Sequence, residues 1–501
     1  MWVRRTTIIR RGGLALLLLA SGWVQADPWL APGNLALRHD IELLADAGII
    51  RGPVMTWPMS WPDIARDVLA AADTAQGDPS IDEALARVKR AARDAQQDGP
   101  GGIEVRAAGS SDAPEWRAFS DQPREQGEVS VASSWMTERF AARIQVTGAA
   151  SPTDDKTVRL DGSYVGVNVG NFMISAGEME RWWGPGWDGS LILGTNARPI
   201  PSLTVERNYT DPFKTKWLRW IGPWRASIAV GQAEGATTAR DGRLPVLPDV
   251  RFLAARVNFK PRPWMEFALT RSAQFCGQGR QCSLGTIKDL LLGRDNQIVN
   301  GNTSTQPGNQ MAGYDLRIRS PWKRIPALVY VQAIGEDEAN GLPSKFLGVM
   351  GAEVWGSMAL GSWRLRVEFT DTACVFTRQN PEFNCSYRNS LFPQGYSYRG
   401  RMIGHGLDND SRMASIGAVL VRPSGDSWSI VLRDARINRG GQVPDLAQAL
   451  SAGPSKLRNA DLEYHHSFTA GDIRVGVAMD DFSGTRNDSS VRGFVEWRQR
   501  F

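Results

Sequence analysis

The densest group of side chains able to do chemistry is Arg181-Trp182-Trp183-Gly184-Pro185-Gly186-Trp187-Asp188. Three indole faces can stack on sugar rings, and Gly184-Pro185-Gly186 hold a tight turn between them. Asp188 and Arg181 can hydrogen-bond hydroxyls, and the arginine can pair with uronate carboxylates. The same residues also suit a packed turn or an interfacial girdle. Glu336-Asp337-Glu338 offers carboxylates for acid/base work, with a solvated loop tip as the plainer reading. His405 precedes Asp408-Asn409-Asp410-Ser411, an oxygen-rich stretch that could hold Ca²⁺ but lacks EF-hand spacing, which favours a hydrogen-bonded turn. His465 and His466 point to opposite faces of one strand and cannot act as a pair. No Ser-His-Asp order stands out. The reading is therefore a binding protein and not an enzyme, with no cofactor and no metal.

The four cysteines form two close pairs, Cys276 with Cys282 and Cys374 with Cys385. For an exported chain two local disulfides are expected, each closing one loop; the alternative is a metal site, but neither pair has CxxC spacing. Export is signalled at the start. Arg4, Arg5, Arg10 and Arg11 precede the apolar run Leu14–Ala20, and Val24-Gln25-Ala26 makes a cleavage site, so residues 1–26 read as a signal peptide. The full chain has 58 Lys and Arg against 53 Asp and Glu. The leader's four arginines account for all but one of that excess, which removes the main support for a nucleic-acid partner.

These groups need elements to hold them. Beyond the leader no apolar run reaches about 18 residues, so helical membrane spans are excluded. Residues 27–102 read as a small helical region. Leu35 to Ile49 has an apolar face at helical spacing, a second helix opens at Trp61-Pro62-Asp63, and Ser80 with Glu83 forms a capping box for a third, Ile81 to Gln97. Asp98-Gly99-Pro100-Gly101-Gly102 then breaks the chain.

From residue 103 to 501 the period becomes two. Trp363-Arg364-Leu365-Arg366-Val367-Glu368-Phe369 alternates without fault, and Val491, Val495, Trp497 and Phe501 share one face of the last strand while Arg492, Glu496 and Arg498 share the other. Export without a helical span, together with these strands, points to an all-β transmembrane barrel with both ends periplasmic. Counting back from Phe501 gives about eighteen antiparallel strands. The long connections 272–310, 374–410 and 437–458 and the segments 181–189 and 335–345 are then external, and the short turns 260–262 and 468–470 internal. The alternation is poorest over 103–120 and 190–222, where the count could change by two. Inward positions carry Arg143, Arg256, Arg317, Arg364, Arg366, Arg433, Arg474 and Arg498, a lumen that either conducts anions or is filled by folded-in loops joined by salt bridges. The long loops favour filling. The 19 Trp against 8 Tyr fit either membrane interfaces or sugar-stacking faces.

The segment from Arg181 to Leu193, continuing through Asn196-Ala197-Arg198-Pro199, resembles the Wzi-like capsule assembly family. So do Leu291-Leu292-Gly293-Arg294-Asp295-Asn296, Ile334-Gly335-Glu336-Asp337-Glu338, Asp371-Thr372-Ala373-Cys374 and His405 through Ser411. The motifs occur in the family's order over nearly all of the mature chain. The resemblance implies a cell outer-membrane barrel of about eighteen strands with a periplasmic helical portion, acting as a lectin that binds and retains capsular polysaccharide or exopolysaccharide. Candidate binding residues are then Arg181, Trp182, Trp183, Trp187, Asp188, Asn196, Arg198, Glu336, Asp337, His405, Asp408, Asn409 and Asp410. Expected partners are the polysaccharide, outer-membrane lipid and export machinery, with the protein a monomer. An anion-selective porin or polysaccharide export channel is the alternative, and a surface hydrolase or lipid-modifying enzyme a third reading.

Overall fold

The computed structural model describes residues 26–72, 78–233, 247–280, 282–292, 308–322, 325–339, 342–441, 450–469 and 471–501. The leader up to Gln25 and Gly293 to Asn296 lie outside them. Every strand pairs antiparallel with the next, and the last, Ser489–Arg500, closes on the first, Gly99–Ser110, from Phe494 opposite Ser110 to Arg500 opposite Glu104. The result is a closed barrel of 18 strands. Val158–Arg159 and Tyr164–Val169 are two pieces of one strand, both paired with Phe140–Ala150.

Closure follows from the alternation. Outward positions such as Val129, Ile144, Val329, Val367, Leu432, Val477 and Val491 are exposed and apolar, as a bilayer demands. Trp135, Phe140, Phe172, Trp217, Trp220, Trp264, Trp322 and Trp497 are also exposed, and all lie toward the end that carries both termini of the barrel. They form an aromatic girdle, which accounts for part of the tryptophan excess. The short turns lie at this same end, and the connections 277–307, 372–411 and 438–454 at the other.

Three strand expectations are corrected. The first strand stops at Ser110, and 111–126 leaves the wall. Only Ser202–Arg207 of the expected 190–206 is extended in the sheet, because 190–201 turns into the barrel. The expected loop 335–345 is mostly strand: Ala327–Ala339 and Leu342–Met358 continue past it, with Glu338 opposite Pro343.

The N-terminal region is helical as its periodicity dictates, with α1 at Leu35–Asp46, α2 at Trp61–Ala70 and α3 at Pro79–Ala95. Asn34 caps α1 and Ser60 caps α2. The cap of α3 is Asp78, whose carboxylate accepts from the Ser80 amide, so Ser80 is not the cap. Gly99–Gly102, expected to close this region, instead open the first barrel strand; the rest of the region adds no strand to the barrel ladder. It does not stand apart from the barrel either. The helices share one continuous apolar core with Trp182, Trp183, Leu191, Leu347 and Val349.

α1 enters the lumen at the terminal-bearing end, and its polar face meets the wall. Arg38 pairs with Glu42 at 2.8 Å, Arg317 with Asp46 at 3.0 Å, and Arg364 with Glu42 at 3.4 Å and with Asp46 at 3.6 Å. Arg364 also pairs with Glu353. The inward arginines are thus filled against and not left lining an open bore. Removing one member of such a buried set leaves its partners charged and unpaired, a loss of roughly 3–5 kcal/mol. R364A should therefore lower the midpoint of heat-modified gel mobility markedly, whereas R458Q, on the exposed outer face, should leave it unchanged; equal midpoints would show that α1 is not anchored through this set.

Candidate functional site

The Trp turn lies inside the barrel. Residues 179–201 leave the wall after Phe172–Gly177 and return to it at Ser202. Trp182 and Trp183 pair with Trp57 and Thr56 in a two-stranded ladder, joining the turn to the N-terminal region. Phe119 contacts Trp57 and Trp182 edge-to-face at 5.3 and 5.4 Å. The Arg38 guanidinium sits 4.1 Å from the Trp187 ring and donates to the Pro185 and Gly186 carbonyls at 2.7 and 3.0 Å. Gly186 is required: a Cβ there would stand 2.3 Å from the Gly189 carbonyl oxygen.

The wall holds the turn by hydrogen bonds. Glu368 accepts from the Trp187 and Asp188 amides at 2.8 and 3.2 Å, and Glu353 accepts from the Trp187 indole at 2.9 Å. Gln332 accepts from the Leu191 amide and donates to the Trp183 carbonyl. Asp188 accepts from Arg433 at 2.8 Å and from Ser415 at 2.6 Å. Burial alone would raise the Asp188 carboxyl; the Arg433 and Arg366 guanidiniums outweigh it and hold it at about 2. Asp188 therefore stays ionised and anchors the turn across any physiological pH.

Trp182, Trp183 and Trp187 are each 1% exposed. No ring face is open to a ligand, so the stacking role expected of them gives way to a packing role. Their neighbours are equally committed. Arg181 donates to Thr204 Oγ1 and the Met179 carbonyl. Asn196 accepts from the Arg117 amide and donates to the Met402 carbonyl. Arg198 pairs with Asp154 and Asp161, both at 2.6 Å.

From the long-loop end, 372–411 folds down onto this turn. Tyr387 and Tyr396 donate to the Leu191 and Ile192 carbonyls, both at 2.7 Å. The His405 ring packs where a Cβ on Gly189 would fall, 2.2 Å away. Asp408, Asn409 and Asp410 are buried here, with the Asp408 carbonyl accepting from Thr372 and the Asp410 carboxylate from the Asn384 amide. The oxygen-rich stretch is thus a hydrogen-bonded loop turn. Glu336 is buried within a strand and not at a loop tip; Asp337 lies in the same strand opposite Ser344. Both expected disulfides are present, Cys276–Cys282 and Cys374–Cys385, each closing its own loop at the long-loop end.

Twelve of the thirteen candidate residues are described to the side chain, and the structure gathers the Trp turn and the His405 loop into one plug while leaving Glu336 on the wall. Nothing local in the chain marks Arg38, Phe119, Gln332 or Glu368 as their partners, because these lie on segments far away in the chain.

A barrel closed in itself, apolar outside, plugged from both ends and lacking any helix long enough to span a membrane among its described residues defines a filled outer-membrane β-barrel. Residues 96–480 match the family model for capsule assembly protein Wzi. The chain belongs to this family. A Klebsiella pneumoniae relative, described as an uncharacterized 55.8 kDa protein in cps region, is 28% identical over 491 residues, covering 96% of this chain and 89% of its own. A solved Escherichia coli structure, described as Wzi, an outer membrane protein involved in group 1 capsule assembly and a carbohydrate-binding β-barrel, matches at a TM-score of 0.78 and 24% identity. It spans 94% of this chain and 99% of that one, and the likeness is one of fold.

Two outcomes follow. W182A/W183A/W187A should cut the amount of folded barrel, since burial of each large ring is worth roughly 3–5 kcal/mol; normal abundance with loss of cell-bound polymer would restore these rings to a binding face. Burial pulls the His405 imidazole down to about 4, so it is neutral in the fold. An unfolded histidine takes a proton near 6.5, and stability is lost as pH falls from there toward 4. Asp410, raised by burial to about 6, acts oppositely over the lower part of that range. H405Q should therefore remove the acid-side loss of plug stability, read as the pH dependence of protease resistance in 372–411; an unchanged profile would rule out His405 as its source.

Proposed function

We propose that this protein binds and retains an acidic capsular polysaccharide or exopolysaccharide at the cell surface, with the long-loop end outside and the helices facing the periplasm. The observation that carries the reading is the filled lumen beneath loops held by two disulfides: the barrel presents a rigid outer face and not a bore. Family membership and the carbohydrate binding described for the Escherichia coli relative agree with it. The candidate residues of the Trp turn and the His405 loop act here as the scaffold below that face.

The polymer then meets side chains on top of the plug. Arg280 lies 5.3 Å from the buried Phe392 ring and Arg399 5.6 Å from the buried Tyr398 ring, and Arg388 donates to Asn384 within the loop 372–411. Guanidiniums held in place against buried rings suit the carboxylates of uronate-bearing sugars. The chain's work is binding and holding; export machinery would meet it at the helical end.

Purified protein should bind the producing organism's own polysaccharide. R280Q/R388Q/R399Q should weaken that binding by about tenfold or more, a loss of ~1.4 kcal/mol or more, at unchanged barrel abundance. In planar bilayers the protein should give no steady large conductance. Large steps from the intact protein without polymer binding would favour the anion-channel alternative, and turnover of the polymer would favour a hydrolase.

A further inference from the structure

The outer wall carries a second charged feature that the plug does not use. Arg412, Arg436 and Lys456 stand directly opposite one another on three successive strands, Arg412–Val421, Ser427–Ile437 and Ser455–Phe468. Like charges in register repel and weaken a sheet. Their compensation is incomplete. Arg412 pairs with the buried Asp371 at 2.8 Å, which it shares with Arg439, and Lys456 pairs with Asp434 at 2.9 Å. Arg436 is exposed and has no hydrogen-bond or ion partner among the described residues. The three line a groove of about 600 Å³ with Arg439, Gln379 and Phe383, and no carboxylate lines it.

The position of this groove selects its occupant. Side chains alternate along each strand, and the cations share the outward face with Ile416, Leu432 and Leu462, exposed at 45%, 48% and 48%. Arg412 and Arg436 are four residues from the first two of these, roughly 13 Å along the strand and about 10 Å in height once the strand tilt is included. The outward face turns from apolar to cationic over this height at the long-loop end, which is where the apolar band gives way to the polar headgroup layer. Elsewhere on this rim the outward cations Arg251 and Arg271 are each bonded to a glutamine, Gln232 and Gln310.

We propose that Arg412, Arg436 and Lys456 bind the phosphate groups of the phosphorylated glycolipid in the outer leaflet and so fix the barrel's height and rotation beneath the polymer. Three cations at cross-strand spacing match a polyanionic headgroup, and closely set basic side chains at a membrane surface attract anionic lipid additively. The inference rests on the orientation proposed above.

The test is retention of bisphosphorylated lipid A by the full-length protein in phosphatidylcholine nanodiscs, counted by native mass spectrometry. The protein should keep bound lipid A, and R436Q/K456Q should lower its affinity about tenfold or more, with R251Q unchanged. R436Q alone, which removes no ion pair, should show a smaller loss in the same direction. Dephosphorylated lipid A should not be retained. Equal retention by the double variant, or of the dephosphorylated lipid, overturns the proposal. So does loss of polysaccharide binding with lipid A retention intact, which would assign the groove to the polymer. Labelling of S483C at this rim in intact cells checks the orientation separately: no labelling would sink the outer-leaflet source whatever the nanodisc result.

Discussion

A wide barrel must do something with its interior, and here that constraint governs the rest of the structure. Eighteen strands enclose more space than wall side chains can fill. The inward face is polar by alternation, and in this chain it is crowded with arginines and carboxylates. Burying such charges is tolerable only if each finds a partner. The plug supplies the partners: Glu42 and Asp46 for Arg317 and Arg364, Asp188 for Arg433, and main-chain amides for Glu368. Wall and plug are therefore one electrostatic unit, and neither is a finished structure alone.

That coupling explains why the residues most suggestive of chemistry are buried. Trp182, Trp183 and Trp187 sit where α1, the Phe119 segment and the wall converge. His405, Asp408 and Asp410 close the same assembly from above. Rigidity there serves the polysaccharide binding proposed above, because a loop surface that is already ordered loses less entropy when it binds. The proposed binding face inherits its shape from packing several residues deeper, so residues that set this shape need not themselves be exposed.

The outer face follows a different rule. There the partner is lipid, and apolar side chains with a terminal-end girdle of aromatics answer to it. The in-register cations of Arg412, Arg436 and Lys456 depart from that pattern at one place on the rim. Asp371 and Asp434 offset the charges of Arg412 and Lys456 from within the chain, and the Arg436 side chain between them is left to the surroundings.

The strand count, the closing strand, the helical start and both disulfides were legible in the amino-acid sequence, because each depends on local periodicity or short spacing. Thr56 facing Arg256, or Arg38 stacked on Trp187, left no local trace, since these pairs are made by residues 200 and 149 positions apart. Even the failed part of the strand expected at 190–206 has this origin: the apolar run Leu191-Ile192-Leu193 was real, but the facing surface was the plug core and not the neighbouring strand. Periodicity reports which side of a segment is apolar. Whether that side meets lipid, a helix or a folded-in loop was decided only when the barrel closed, because closure fixes which distant charges must be neutralised inside it.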